Sequence, residues 1–335
     1  MAKPTKITGG LSVDGVPTMG MNLGALTATQ GDVYFVKPRT GSDENTGKSV
    51  DNAFKTLAQA LSAATANQND IVFLISEHND TAGSTTDYQS TTLDWNKDMV
   101  HLIGVNAGNN ISPRSRVAFL STYDTASNLF TLSADNCLIA NIQFFAGVAG
   151  VNPTGAFLVT GDRNRVVNCH IAGIGNDAND IAGAYSIKLD TASENQFEQC
   201  TIGVTTTGAG SAANSDILVD GGSARNRFIS CYFTRRVDHA SNFVFVKLAD
   251  ATAIEDFLSF DSCRFIPTST NYAIAMGAVM DIPALTQGFI QVIDSVVFKS
   301  DNSTAPVWDV NNRDKIQVMG NPTPAAETVS VARQV

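Results

Sequence analysis

Two aspartates, Asp190 and Asp220, are placed by their spacing where they could do chemistry. Each ends an alternating apolar stretch, Ile187 to Leu189 before the first and Ile217 to Val219 before the second. If those stretches are neighbouring strands, the carboxylates share one face. Glycoside hydrolysis needs such a pair, roughly 5 Å apart for retention or roughly 6.5–9.5 Å for inversion. Each aspartate also begins a turn, where an acidic side chain commonly accepts backbone N–H bonds, so a purely structural role competes with catalysis. The other reactive types are less concentrated. Of the four histidines, His78, His101, His170 and His239, His239 has an acid beside it in sequence, Asp238, and His170 reads as structural. Arg235-Arg236 is a local basic spot that reads as a solvated loop. There is no C-x-x-C among the five cysteines, and their spacing is too wide for convergent ligands, so no metal and no cofactor are predicted.

What must position these residues is a repeat. Cys169, Cys200, Cys231 and Cys263 are separated by 31, 31 and 32 residues. The same pattern surrounds each: Asn164-Arg-Val-Val-Asn-Cys-His-Ile171, Asn195-Gln-Phe-Glu-Gln-Cys-Thr-Ile202, Asn226-Arg-Phe-Ile-Ser-Cys-Tyr-Phe233 and Phe260-Asp-Ser-Cys-Arg-Phe265. An earlier copy places Ile142 in the cysteine slot, and a later one, Ile293-Asp-Ser-Val-Val-Phe298, places Val296 there. Apolar residues sit three before the slot, at the slot and two after it. Alternation of period two therefore breaks once per copy, and the chain must bend at Asn141, Asn168, Gln199, Ser230, Ser262 and Ser295. A second strand precedes each copy, with Phe157 and Val159, Ile187 and Leu189, Ile217 and Val219, then Val246 and Leu248 in matching places.

A unit of about 30 residues without helical period cannot bury its apolar face alone, so neighbouring units must stack strand on strand. The fold class predicted is all-β: a single-stranded parallel β-helix of some eight coils spaced ~4.8 Å apart. Its first coils use Ile71-Val-Phe-Leu74 and Val100-His-Leu-Ile-Gly104. Ile142, Cys169, Cys200, Cys231, Cys263 and Val296 form one core ladder, in which a small thiol stacks on its copy in the next coil. An odd cysteine count without a secretory leader suggests reduced thiols rather than a disulfide framework.

Composition agrees. The 335 residues include 26 Gly and 18 Phe with only 16% charged residues, which suits short strands, frequent turns and an apolar interior. A formal charge of −10 argues against an extended nucleic-acid surface, because phosphate binding is driven by lysine and arginine. The opening MAKPTKITGG has no apolar leader and no stretch is long enough to span a bilayer, so synthesis in the cytoplasm without membrane insertion is expected.

Upstream of the repeat, Tyr34-Phe-Val-Lys-Pro-Arg-Thr-Gly-Ser-Asp-Glu-Asn-Thr-Gly47 and Ala53-Phe-Lys-Thr-Leu-Ala-Gln-Ala-Leu61 read as strand, turn and amphipathic helix. Phe54, Leu57, Ala58 and Leu61 fall on one helical face, which would plug the open end of the first coil. With this entry segment, residues 31–300 resemble the pectin-lyase-like right-handed parallel β-helix superfamily, including tailed-bacteriophage virion proteins of the capsid-decoration and tailspike kinds. The resemblance implies a right-handed coil but no particular activity, since the fold hosts lyases, hydrolases and inert rods. Asn-Thr-Asp, Asp-Asp, Gly-His-Gly and Arg-Ile-Lys, the motifs of polygalacturonase-type members, are missing, as is the Arg-x-Pro-x-x-Arg of pectate lyases. Trp95 and Trp308 are the only tryptophans, and most aromatic residues are Phe in core slots rather than sugar platforms.

The domain organisation predicted is an N-terminal attachment arm (1–30), entry strand and capping helix (31–70), β-helix (71–311) and C-terminal tail (312–335). Leu11, Val13, Val16, Met19, Met21 and Leu23 alternate with turn formers in the arm and would strap it to a partner. The Gly-, Ala- and Ser-rich loops 173–185 and 203–215 are expected on the outside, packing against another subunit. By the resemblance, the expectation is a structural virion protein without enzymatic activity, a capsid decoration, cement or head-fibre rod. Its partners would be the capsid lattice or tail and copies of itself, as a homotrimer, with neither nucleic acid nor membrane. The alternative is a tailspike-like protein that binds or depolymerises a surface polysaccharide.

Overall fold

The computed structural model describes residues 12–13, 16–17, 31–77, 86–106, 115–120, 128–149, 154–239, 242–269, 276–298, 308–309 and 311–320. The protein is a single-stranded right-handed parallel β-helix of about seven turns. Each coil contributes one short strand to each of three parallel sheets. Among the described residues sheet 1 has ten strands, from Val33–Val36 to Ile316–Met319; sheet 2 runs from Thr86–Gln89 to Val296–Val297; sheet 3 has seven, from Leu93–Trp95 to Met280–Asp281. The terminal coils are incomplete, which is why the turns number slightly fewer than the eight expected. The ladder of sheet 1 continues to Met319, past the boundary at 311 that the repeat suggested.

The break of parity does what the pattern requires. Between sheets 1 and 2 the chain turns through one residue in the left-handed region: Asn141, Asn168, Gln199, Ser230, Ser262 and Asp294, with φ between 45° and 59°. A single such residue re-aims the strand, so that the residue after it points inward again. The predicted sheet 3 register also holds: Phe157 pairs with Ile187, Ile187 with Ile217 and Ile217 with Val246, and Val159, Leu189, Val219 and Leu248 follow in the same register.

The last copy corrects the ladder. Arg264 pairs with Val296 and Phe265 with Val297, so Ser295, not Val296, stands over Cys263, and the bend falls on Asp294 rather than Ser295. Ser295 is buried and its Oγ donates to Phe260 O at 3.2 Å, as Cys263 Sγ approaches Phe228 O at 3.4 Å. The apolar run Val296-Val297-Phe298 satisfied the sequence pattern in either frame. The small donor in the slot settles the frame, because it meets the carbonyl of the coil before. Ile142 and the four predicted cysteines occupy the ladder in sequence order and are all buried.

Inside the coil, like stacks on like. The rings of Phe197 and Phe228 are 4.7 Å apart and tilted by 11°, those of Phe228 and Phe260 5.2 Å and 12°, those of Phe233 and Phe265 4.5 Å and 12°. Strand spacing sets these separations, and each such pair adds ~0.5–1.5 kcal/mol beyond the area it buries. A second ladder, of asparagines, lines the turn into sheet 1: Asn195 Oδ1 accepts from Asn164 N at 2.9 Å and Asn226 Oδ1 from Asn195 N at 3.0 Å, while Asn164 Oδ1 caps Cys137 N at 2.7 Å. These buried amides satisfy backbone donors that the turn leaves without a strand partner.

Helix α1, Leu57–Ala63, closes the first coil. Its N-cap Thr56 accepts from Gln59 N at 3.2 Å, and Asp43 accepts from Lys55 N and Thr56 N, each at 2.9 Å. Phe54, Leu57 and Leu61 enter the main core as predicted, but Ala60 takes the place expected of Ala58, which is exposed. The helix starts at Leu57 rather than at Ala53, and its buried stripe is Leu57, Ala60 and Leu61. In the arm, Ser12–Val13 pairs with Val16–Pro17 as an antiparallel hairpin; the side chains of Leu11, Val13, Val16, Met19, Met21 and Leu23 lie outside the described residues.

Candidate functional site

The strands that end in the two aspartates, Tyr185–Asp190 and Asn214–Asp220, pair in register with Asp190 opposite Asp220, as the sequence predicts. Lys188, one pleat earlier on the same outer face, reaches between them: its Nζ is 2.8 Å from Asp190 Oδ2 and 3.1 Å from Asp220 Oδ2. Burial works against the charge on Lys188, but the two carboxylates outweigh it and hold the ammonium above its usual pKa. Asp220 Oδ1 further accepts from Gly221 N at 2.8 Å, which tightens the turn. A glycosidase needs one of its carboxyl groups to deliver a proton and leaves the space between them for sugar and water. Here an ammonium fills that space.

The histidines are dispersed. His170 is buried on sheet 2, with Nε2 2.9 Å from Gly203 O and Nδ1 3.1 Å from Gln143 Nε2. A carbonyl can only accept, so Nε2 carries the proton and Nδ1 accepts, and burial lowers the pKa of this neutral ring. His101 accepts from Leu138 N at 3.0 Å through Nδ1, and desolvation brings its pKa down to about 4. His239 is exposed, while His78 lies outside the described residues. Among the described residues no group of three or more His, Cys, Asp or Glu is arranged to hold a metal ion. The ladder thiols are all buried, and desolvation holds Cys169 and Cys231 well above the usual thiol range; outside the ladder, burial pushes Cys137 up to about 12.

Arg235-Arg236 is not a solvated loop. Both lie in the strand Tyr232–Val237, and the alternation that buries Phe233 and Val237 buries Arg235 completely. Its guanidinium pairs with fully buried Asp216 and donates to Gly173 O at 3.0 Å, Ser186 Oγ at 3.1 Å and Ile174 O at 3.3 Å. The arginine thus ties loop 173–185 onto sheet 2. Read as a strand, Phe233-x-Arg235-x-Val237 carried this signal. Gly173 of that loop and Gly203 of the other are packed within the chain: a Cβ on Gly173 would lie 1.9 Å from Tyr185 O, and one on Gly203 2.4 Å from Thr234 O. Loop 203–215 is also tied back to sheet 2, Gly203 O accepting from His170 Nε2.

A groove that no sequence spacing announced crosses the first coils of sheet 2. Tyr88, Ala118 and Phe145 are in register on neighbouring strands, as are Thr86, Arg116 and Gln143. Tyr88, Arg116, Ala118 and Phe145, together with Phe119, Leu120 and Val148, line a cavity of about 510 Å³, which adjoins a second of about 310 Å³ among Pro38, Arg39, Lys55, Thr86 and Asp87; Tyr88 belongs to both. Tyr88 is 47% exposed and Leu120 41%. The Arg116 guanidinium sits 4.4 Å from the centre of the Phe145 ring. Asp87 points inward below the groove and accepts from Leu57 N at 3.1 Å; burial raises its carboxyl pKa to about 7. It therefore caps helix α1 from the next coil, a role that accounts for its position.

No family model and no curated protein matches the chain. Solved structures do. A pectin methylesterase from Aspergillus niger superposes with a TM-score of 0.55 at 12% identity, covering 87% of this chain and 84% of its own. A pectin methylesterase from Erwinia chrysanthemi gives 0.51 at 13% identity over 90% and 92%. A rhamnogalacturonan lyase gives 0.52 at 14% identity over 80% and 68%. At such identities the likeness is one of architecture: the pectin-lyase-like right-handed β-helix.

Proposed function

We propose that this protein is a non-catalytic structural component of a tailed-bacteriophage particle, a capsid decoration, cement or head-fibre rod anchored by residues 1–30. The observation that carries the non-catalytic part is Lys188, lodged between the carboxylates of Asp190 and Asp220. The rest of the polar chemistry points the same way. The asparagine ladder, the thiol ladder and the Arg235–Asp216 pair all join one coil to another. The phage assignment rests on the likeness of the entry segment and on the apolar residues spaced through the arm. By the same likeness the rod is a homotrimer on the virion surface, with the capsid lattice or tail as partner.

Sedimentation tests this reading. Full-length protein and a form lacking residues 1–30 are spun with and without capsids stripped of the protein. The full-length form is expected to pellet with capsids and the shortened form to stay in solution. A full-length trimer that ignores capsids would overturn decoration and move the search to tail assemblies. A second reading, a tailspike-like protein that binds a surface polysaccharide, is favoured by one feature, the groove around Tyr88.

A further inference from the structure

We infer that the groove across the first coils of sheet 2 binds an acidic polysaccharide, with the sugar chain running along the solenoid axis. This gives the second reading a site and does not depend on how the particle is assembled.

Three observations converge on it. First, exposed large apolar side chains are rare in this molecule: among the described residues they are Tyr88, Leu120 and Met319, and the first two flank this one groove. Exposed apolar surface costs free energy unless something covers it, so a concentration of it inside a concavity marks a binding face. Second, the charge is inverted. In a chain of net charge −10, the described residues lining the two cavities include three cations, Arg39, Lys55 and Arg116, and one carboxyl, Asp87, which is turned inward and only 3% exposed. Third, the chemistry is mixed within a few ångströms: Arg116 lies over the Phe145 ring, so a cationic edge and an apolar face are offered side by side.

A sugar acid needs that combination. Its ring presents a face of C–H groups that rests on an aromatic surface, and its carboxylate takes a guanidinium or ammonium at the edge. Polymer rather than monomer follows from the shape. The groove is an open trough that passes from one coil to the next, with Tyr88 at the junction of its two parts and Phe145 two strands further on. Successive strands are ~4.8 Å apart, close to the advance of a pyranose chain per sugar, so sugars laid along the axis meet one strand each. Nucleic acid fits less well: three spaced cations and one exposed tyrosine neither neutralise a phosphate run nor stack successive bases.

The test uses the full chain on an immobilised panel of bacterial capsular polysaccharides, neutral and uronate-bearing, with single-stranded DNA as a polyanion control. Tyr88→Ala and Lys55→Ala change exposed side chains, and their melting temperatures verify that they fold. Binding confined to uronate-bearing polymers, weakened at least fivefold by either substitution and by added salt, is the expected result. Equal binding by both variants would keep the polysaccharide reading and overturn the groove. Equal binding to neutral polymers or to DNA would overturn the acidic-glycan class. No binding to any polymer would overturn the inference and the second reading together, and leave the structural proposal standing on the sedimentation result.

Discussion

Residues 154–298 and residues 31–149 build the same three sheets, but only the former repeat evenly. In sheet 1 the partners Arg165, Gln196, Arg227 and Ser259 follow one another at 31, 31 and 32 residues. In the earlier half, Val33 pairs with Ile71 and Leu102 with Ile139, 38 and 37 residues apart. The even half stacks identical side chains into ladders and spends its polar groups on neighbouring coils. The uneven half has Trp95 over Phe130, a helix capped by Asp87, a histidine joined to two coils and the groove around Tyr88. Repetition makes a rod that holds itself together; departures from it leave aromatic and charged groups facing solvent, where ligands are met.

The comparison breaks first at Phe228. It is fully buried between Phe197 and Phe260, so Phe228→Asp places a carboxyl in an apolar stack and should cost more than about 4 kcal/mol. The expected outcome is loss of folded protein by circular dichroism; a cooperative melt at the parent temperature would show that the even half is not a packed ladder.

Arg235→Met comes next. Removing one partner strands Asp216 as a buried charge, at a cost of about 3–5 kcal/mol, and replacing both by apolar residues should recover most of it. Urea denaturation of the single and double variants measures the difference. A single variant within about 1 kcal/mol of the parent would mean that the pair is solvated and that loop 173–185 is held by other contacts.

In the uneven half, His101 makes stability fall with acid. Its folded-state pKa of about 4 lies below the ordinary 6.5 because burial disfavours the charged ring. The contribution is complete above pH 6.5, where both states are neutral, and is lost as pH falls towards 4 and the unfolded chain takes up the proton first. Over that window the loss is about 3 kcal/mol. Chemical denaturation at pH 7 and pH 4 should show His101→Gln losing less stability than the parent by about this amount. Parallel losses would show a solvated histidine.

The smallest effect is expected where the structure has already made the exchange. Ser295 fills the ladder slot of the last coil with its Oγ bonded to Phe260 O, and Cys200 Sγ lies 3.5 Å from the equivalent Val166 O. Cys200→Ser should therefore cost no more than about 1.5 kcal/mol, read as a small shift in melting temperature. A larger loss would show that the thiols are held for their packing rather than as small donors.

Much of the solenoid was legible because a coil touches only the coils beside it. The cysteine intervals set the register, and the parity break located five of the six left-handed residues between sheets 1 and 2. The frame slipped at Val296, where consecutive apolar residues erase the alternation that reports it. It slipped again at Ala58, because a helix of seven residues gives too short a stripe to fix its own rotation. The asparagine ladder stood in the repeat as Asn164, Asn195 and Asn226, but the carbonyls and N–H groups it serves belong to other coils.

What the sequence by itself determined is the coil: its period, its inward residues, its strand pairing and the close approach of Asp190 and Asp220. Only the tertiary structure decided the chemistry of those residues. Lys188 lies two residues from Asp190, yet its reach to Asp220 depends on the stacking of the next coil. Arg235 became a buried anchor because loop 173–185 closes over it. Arg39, Lys55, Tyr88, Arg116 and Phe145, spread over more than a hundred positions, became one groove: the register of sheet 2 aligns Tyr88, Arg116 and Phe145, and the entry segment brings Arg39 and Lys55 beside Tyr88. Strand pairing follows from local alternation, whereas charge, exposure and pKa depend on what covers a face, and that is settled by parts of the chain that carry no period.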